Sequence, residues 1–291
     1  MGIKNLMNLI KENKVMETRE IKTIENSRVG VDISIYIHKF GYGVVKEFFS
    51  NLSDDQLFSE KLSEYVENNR NLINQEICTR ILNYFRKIEN VLFTFVFEGD
   101  QVEPLKDHAL QERMKIRERT KELLRMALEQ KNRLSCINKL SALYSYSFSD
   151  IYEIMKNSHE DIPNIRIIRC PGESEQFICR EIRSRRLDYI LSIDTDVLAI
   201  GHDMIIDIGP SVYTIIKYNE LLSKLGLDSR QFTDVCIMSG CDYNTNMKNI
   251  GVMKSLKLIK TYGSIDNLPD NYDISVLNHE ECRRIFSLGN L

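Results

Sequence analysis

Pro171 to Gly201 reads PGESEQFICREIRSRRLDYILSIDTDVLAIG and holds two pairs of carboxylates, Glu173/Glu175 and Asp194/Asp196. The apolar run Tyr189-Ile190-Leu191-Ser192-Ile193 has the length and composition of a buried strand. Asp194 and Asp196 fall at or just past its end, where residues i and i+2 project to the same side. Glu173 and Glu175 follow a second β-like run, IRIIR at Ile165–Arg169. Pro171-Gly172 breaks the chain there, and the periodic ICREI then opens a helix. Four acids are therefore expected at the carboxyl ends of two neighbouring strands. Like charges repel, and folding alone gives no reason to gather them. A divalent cation that takes hard oxygen ligands, magnesium or manganese, does. The plainer reading is a set of helix-start and loop acids facing water, which are common places for acids.

The same grammar recurs outward from this stretch. Val29-Gly30-Val31-Asp32 is a buried-strand signal that ends on an acid, and the strand Val91 to Phe97 runs straight into Glu98-Gly99-Asp100. Strand followed by acid thus occurs at Asp32, Glu98, Glu173/Glu175 and Asp194/Asp196. Alternation with helical patterns, as at residues 3–12 and 57–89, implies an α/β fold with a mostly parallel central sheet flanked by helices. Ligands of such sheets bind outside the carboxyl ends of the strands, so acids from separate segments are expected to converge.

Between Phe97 and Ile165 lies a long insertion without a clear strand. Gln111 to Leu134 reads as one cationic helix with Arg113, Arg117, Lys121 and Arg125 every fourth residue. Such like-charge pairs cost roughly 0.2–0.5 kcal/mol each, which a polyanion would relieve. The alternative is a solvated face balanced by Glu118, Glu122 and Glu129. Residues 135–160, rich in Ser and Tyr, read as irregular. Further on, Met204–Ile208 and Val212–Ile216 read as strands, and Gln231 to Ser239 as a helix leading into Gly240-Cys241-Asp242-Tyr243. Asn244 to Asn249 is turn-like, and Ile250-Gly251 opens a helix carrying Lys254, Lys257 and Lys260. A helical hairpin with exposed amides at its second start suits a phosphate, although many hairpins are only structural.

Composition bounds these readings. With 291 residues, 28% charged and 43% hydrophobic, the chain is an ordinary soluble protein, and its net charge of −3 does not advertise nucleic-acid binding. A carboxylate cluster, however, hides a basic surface in the total. Seven cysteines without C-x-x-C spacing read as reduced thiols of an intracellular protein, with no zinc framework. The start MGIKNLMNLIKENK is too polar for a signal peptide, and no run reaches membrane-spanning length. Leu6 excludes the myristoylation pattern. His38, His108, His159, His202 and His279 have no paired ligand spacing.

These residues resemble the structure-specific 5′ nuclease family, the flap endonucleases and their xeroderma pigmentosum group G relatives. MGIKNL is similar to the family's opening. VGVDIS and FVFEG resemble its first two metal-binding segments, PGESEQ its Glu-x-Glu segment and SIDTDVLAIG its Asp-x-Asp segment. FTDVCIMSGCDYNTNMKNIGVMKSLKLI resembles the run from the last aspartate into the DNA-binding hairpin. The motifs keep family order along almost the whole chain. The terse start and the abundance of Ile, Asn and Lys are similar to members encoded by large DNA viruses.

The resemblance implies a PIN-like 5′ nuclease core in a single domain over residues 1–291. It implies a helical arch insertion at about 101–160 and a C-terminal helical hairpin at about 231–262. It makes Asp32, Glu98, Glu173, Glu175, Asp194, Asp196 and Asp242 the carboxylates of a two-magnesium site, with manganese as a substitute. Lys106 and Arg113 become the basic pair at the scissile phosphate, and Arg117 a further arch arginine. Lys248, Asn249, Ile250, Gly251 and Lys254 become the duplex-gripping hairpin, with K+ as its cation. The implied activity is two-metal hydrolysis of DNA at 5′ flaps or junctions, in replication, recombination or repair. The implied location is the nucleus or a cytoplasmic viral replication site.

Departures from the family pattern are specific. Glu98 stands where the family usually has Asp, one methylene shorter. Tyr36 follows Asp32 too closely to match the stacking tyrosine of cellular members. Asn249-Ile250-Gly251 replaces Gly-Ile-Gly, and Asn is the next most tolerant residue at a left-handed position. Val252-Met253 replaces a Pro-Lys pair. No clamp-binding motif of the Gln-x-x-Leu-x-x-Phe-Phe type is present. A 5′-to-3′ exonuclease on DNA or RNA, and a catalytically inactive nucleic-acid-binding relative, stay open beside the flap endonuclease. A phosphatase built on the Asp-x-Asp acids would leave Glu173, Glu175 and Asp242 without a purpose.

Overall fold

The computed structural model describes residues 2–99, 106–158 and 162–288. His159 and the parts of the expected arch at 101–105 and 159–160 lie outside them. In chain order the elements begin with α1 (Leu6–Glu12), β1 (Met16–Glu20), β2 (Arg28–Asp32) and α2 (Ile33–Ser50). Then come α3 (Asp54–Leu57), α4 (Leu62–Asn68), α5 (Arg70–Arg86) and β3 (Leu92–Phe97). The insertion forms α6 (Asp107–Glu129), α7 (Arg133–Leu143) and α8 (Phe148–Ser158). It is followed by β4 (Ile165–Arg169), α9 (Ser174–Arg183), β5 (Tyr189–Leu191), α10 (Asp196–Ile200), β6 (Met204–Ile208) and β7 (Val212–Ile216). The chain closes with α11 (Tyr218–Leu225), α12 (Ser229–Ser239), α13 (Val252–Tyr262) and α14 (His279–Leu288).

The chain divides into two compact units. The first comprises Met1–Asp32, Ile88–Ala109 and Ile168–Leu291, and the second Ile33–Lys87 and Leu110–Ile167. The sheet runs in the order β1-β7-β6-β5-β2-β3-β4. Pairing is parallel across β3-β2-β5-β6 and antiparallel at β6-β7 and β7-β1, so the sheet is mostly parallel, as the alternating pattern implies. Parallel strands covered on both faces need unbroken apolar sequence. Accordingly Val29, Val31, Ile190 and Leu191 are all buried. Gly30 between them is required by packing: a Cβ there would stand 2.5 Å from Ile178 of α9 and 2.8 Å from Leu187. Each buried Val, Leu or Ile contributes about 1.5–3 kcal/mol, so this layer is the main source of the sheet's stability.

Three sequence expectations need correction. The cationic helix ends at Glu129 and does not run to Leu134. Lys131 takes a left-handed φ of 48°, and the Asn132 side chain accepts from the N–H of Ser135 to start α7. The described part of that stretch, residues 135–158, is mainly helical, because Cys136 and Ile137 are buried in one helix and Ile151 and Met155, four apart, in the next. The helical pattern at 57–89 is broken at Asn69, between α4 and α5. In this second unit Tyr36 is buried, packing edge-on against Phe85 with ring centroids 4.8 Å apart, so its ring is committed to the core. No helix among the described residues is long and apolar enough to cross a membrane.

Candidate functional site

All seven acids singled out in the sequence belong to the first unit. Asp32 is the last residue of β2 and fully buried. Glu98 follows β3 directly. Glu173 is the N-cap of α9, and Glu175 lies in its first turn. Asp194 precedes α10, whose first residue is Asp196. Asp242 follows α12 after Gly240 and Cys241. The expectation that Asp194 and Asp196 share a strand face is corrected: β5 stops at Leu191, and a turn presents both. That turn is held by two bonds. Asp194 N–H donates to Ser192 Oγ at 3.0 Å, and Asp196 N–H donates to Asp194 Oδ1 at 3.0 Å.

The loops after β3 and β4 are clasped together. Cys170 N–H donates to Phe97 O at 2.9 Å, and Gly99 N–H donates to Gly172 O at 3.1 Å. This clasp sets Glu98 beside Glu173. The start of the chain closes another side. Ile3 N–H donates to Thr195 Oγ1 at 2.8 Å. Gly2 has φ +80°, and a Cβ on it would fall 2.2 Å from Asp194 Oδ1. Ser192, Thr195 and Gly2 therefore support the acids. The first two were legible only as the short polar residues just before and between Asp194 and Asp196 in SIDTD.

Electrostatics shows that the seven acids form one field. Burial, then Asp32, Asp194 and Glu98, raise Glu175 well above the ordinary carboxylate range. Burial, then Asp194, likewise raise Asp196. Burial raises Asp194 to about 6, against the opposing hydrogen bond from the Asp196 N–H. Crowding by protein, then Asp32 and Glu173, raises Glu98 to about 7. Glu98 is the most exposed of these four, and water softens the repulsion there. Asp242 acts on both Asp194 and Asp196, which joins it to the group.

Among the described residues, one side-chain cation enters this field. Lys106 Nζ donates to Glu173 Oε2 at 2.6 Å and lies 5.5 Å from the centre of the Tyr243 ring. Burial alone would lower its pKa, but Glu173, Asp196 and Glu175 outweigh it and hold the ammonium at about 12. The buried Tyr243 donates its hydroxyl to the same Glu173 oxygen at 3.3 Å. Sequence reasoning passed over this tyrosine, although it follows Asp242 directly. Asp196 Oδ1 is buried and has no hydrogen-bond partner among the described residues. An orphaned carboxylate oxygen among oxygen donors is the chemistry of a hard divalent cation site. Among the described residues, no three acidic, imidazole or thiol groups form a ready-made cage around one point.

The basic residues divide between the units. Arg113 and Arg117 are exposed on α6 in the second unit, where Arg117 Nη2 donates to Leu143 O at 2.8 Å. In the first unit α12 and α13 form the expected hairpin. Its turn is fixed by Asn244, whose Oδ1 accepts from Cys241 N–H at 3.1 Å and whose Nδ2 donates to Ile237 O at 2.8 Å. Asn249 has φ +63°, the left-handed value for which Asn is the tolerant substitute for Gly. Gly251 is the extended N-cap of α13, with open space where a Cβ would stand. Lys248, Asn249 and Lys254 are exposed, and Ile250 and Gly251 half-buried.

With this geometry in hand, comparisons with known proteins are direct. The XPG N-terminal domain model matches residues 1–120, and the XPG I-region model matches residues 164–242. The probable RAD2-like endonuclease 076L of invertebrate iridescent virus 3 is 29% identical, over 98% of this chain and 85% of its own length. Flap endonuclease 1 of Enterocytozoon bieneusi is 28% identical, over 98% and 77%. Among solved structures, the catalytic core of Rad2 in complex with DNA substrate matches with a TM-score of 0.60 at 17% identity, covering 100% of this chain and 79% of that one. Flap endonuclease-1 from Methanococcus jannaschii matches with a TM-score of 0.53 at 16% identity, covering 93% and 81%. These two likenesses show the shared fold. Two family segments in order, and relatives aligned along nearly the whole chain, agree with the strand-and-acid pattern: the chain belongs to the XPG family of nucleases.

Proposed function

We propose that this protein is a structure-specific 5′ flap endonuclease that hydrolyses DNA phosphodiesters where single strand meets duplex, in replication, recombination or repair. The observation that carries this reading is the convergence of seven acids from five chain segments, with one lysine among them. Asp32, Glu98, Glu173, Glu175, Asp194, Asp196 and Asp242 would hold two magnesium ions, or manganese in their place. Bound there, the ions supply Lewis-acid polarisation of the phosphate and a water of lowered pKa.

The chain's own residues do the rest. Lys106 is charged at neutral pH, and it exchanges Glu173 for a phosphate oxygen as charge builds on the scissile group. Arg113 offers a planar fork that matches phosphate. Arg117 extends this basic row along the arch, about residues 101–160. Lys248, Lys254 and the amides of Asn249, Ile250 and Gly251 hold duplex phosphates, with K+ at the turn. Both units are read as parts of one nuclease domain. The place of action is the nucleus or a cytoplasmic replication site.

The test is cleavage of a 5′-flap duplex labelled at each end in turn, with magnesium or with EDTA. Release of the intact flap supports the reading. A ladder of single nucleotides from the 5′ end replaces it with an exonuclease. Binding without cleavage replaces it with an inactive relative.

Phosphate contacts make binding salt-dependent and nearly independent of sequence. Lys254→Ala should weaken flap binding uniformly across sequences. It should reduce the slope of log K against log salt by about 1. An unchanged slope would remove α13 from the interface.

Magnesium should stabilise the protein more as pH rises through about 6 to 7. Asp194 and Glu98, at about 6 and about 7, have folded values above their ordinary ones. The folded metal-free protein therefore binds extra protons below those values, and its stability falls as pH rises through them. Metal takes the deprotonated form, so its contribution grows in the same window. The half-buried His202, lowered to about 4, pulls the opposite way in both states and cancels in the difference. The difference in melting midpoint between magnesium and EDTA, measured from pH 5 to 8, checks this. A difference that shrinks with pH would contradict it.

A further inference from the structure

Three helices of the first unit carry the acids at one end. Glu173 and Glu175 begin α9, Asp196 begins α10, and Asp242 follows the end of α12. The opposite ends of these helices meet a second feature, a cavity of about 530 Å³. It is lined by Arg183 in the last turn of α9, by Ile200 and Gly201 closing α10, and by the first turns of α12, with Arg283 and Phe286 of α14. Ten residues of α9 span about 15 Å at the helical rise. The cavity is therefore a place apart from the acids.

Its charges are unevenly matched. Arg283 is committed: Nε and Nη2 each donate to the buried Asp234 at 2.7 Å. Arg230 is 72% exposed and has only a loose contact with Asp266 at 3.6 Å, worth at most about 1 kcal/mol in such a setting. Among the described residues Arg183 faces no carboxylate: its Nη2 donates to Ile200 O at 3.1 Å, and its Nη1 is enclosed without a hydrogen-bond partner among them. Burial pulls its pKa below the ordinary guanidinium value, with no acid to offset it. A half-buried cation left in this state costs stability unless an anion joins it. The Ser229 hydroxyl accepts from Tyr218 Oη at 2.9 Å and can give its own proton to an oxyanion, whereas the Thr233 hydroxyl is committed to Ser229 O and Ala199 O and the start of α12 is capped by the Asp228 carboxylate. Ala199, Ile200 and Phe286 add an apolar wall. The volume lies within the range of about 300–1,000 Å³ usual for small-molecule sites.

We propose that this cavity binds a phosphate-bearing small ligand of mononucleotide size, held at its phosphate by Arg183 and Arg230. Arg183 pairs its free nitrogen with the phosphate, and Arg230 swings to it from Asp266. The ring of the nucleotide rests on the apolar wall. This goes beyond the cleavage reaction and is independent of it, because the binding is measured without metal or flap.

The experiment is calorimetric titration of deoxyadenosine 5′-monophosphate into the whole protein in EDTA, with inorganic phosphate as competitor. Saturable binding at one site is expected, displaced by phosphate. Arg183→Met and Arg230→Met should each weaken it about tenfold or more, the loss of one charged hydrogen bond. Asp196→Asn, at the far end of α10, should leave it unchanged. Arg230 is exposed, so its variant folds even if the Arg183 variant does not. Absence of saturable binding, binding indifferent to Arg230→Met, or binding lost in Asp196→Asn would each overturn the proposal.

Discussion

Asp196→Asn is expected to abolish flap cleavage, by on the order of a thousandfold, while raising the melting midpoint of the protein in EDTA. The two effects have one origin. Asp196 begins α10 within the field of Asp194 and Asp242, and its Oδ1 is enclosed without a partner among the described residues. Its pKa stands well above the ordinary carboxylate value, first through burial and then through Asp194. A group so shifted destabilises the folded protein when ionised. Asparagine keeps the shape, removes the charge and offers a donor to the neighbouring carboxylates. An acid at a helix start is worth about 0.3–1 kcal/mol, which works against this gain without cancelling a shift of several causes acting together. On the proposed reading, catalysis loses one carboxylate oxygen and the charge of the metal site. The paired measurement is single-turnover cleavage in magnesium beside thermal melting in EDTA. A variant that is inactive but less stable would show that the acids are not crowded, and an active one would remove Asp196 from the site.

The acids could be read from the sequence because burial and chemistry impose different demands on neighbouring residues. Val29 and Val31, or Ile190 and Leu191, must be apolar to sit in a covered parallel sheet, and Asp32 at the very next position breaks that demand. A carboxyl group fully buried at a strand end is an exception to that demand, and such exceptions cluster at functional sites. The same logic fails for β1. Its sequence METRE lies at the sheet edge, pairs antiparallel with β7 and buries none of its five residues, so no apolar signal betrays it. The insertion misled for a related reason. Its Ser and Tyr residues suggested irregular chain, but Ser141 Oγ donates to Ile137 O within α7, and Tyr146 packs where Gly41 leaves room for its ring. Ser141 is satisfied within its own helix and Tyr146 is absorbed by packing, and the buried pair Ile151/Met155 decides the second helix. Lys106 illustrates what a linear pattern cannot carry. The resemblance implied a phosphate contact for it, whereas its ion pair with Glu173 depends on the clasp that joins two loops far apart in sequence.

That clasp carries the second large effect. Gly99→Ala is expected to lower kcat for flap cleavage about a hundredfold, because a shift of about 1 Å in a catalytic group is enough for that. A Cβ at this position would stand 2.2 Å from Cys170 O and 2.5 Å from Pro171 O. Both are backbone atoms, so no side chain can turn aside to make room. The loop after β3 must separate from the loop after β4, and the bond from Gly99 N–H to Gly172 O goes with it. Glu98 and Glu173 sit on either side of that bond, so both carboxylates move. Forcing one carbon into such a contact costs about 1–3 kcal/mol, which lowers the melting midpoint by several degrees at about 2–4 °C per kcal/mol. Gly209→Ala is the matched control, since its added carbon would meet only Val212 O at 3.6 Å, an ordinary contact. Its melting point and cleavage rate should stay close to wild type. If Gly99→Ala cleaves as fast as Gly209→Ala, the backbone approach between the two loops is not what places Glu98 and Glu173.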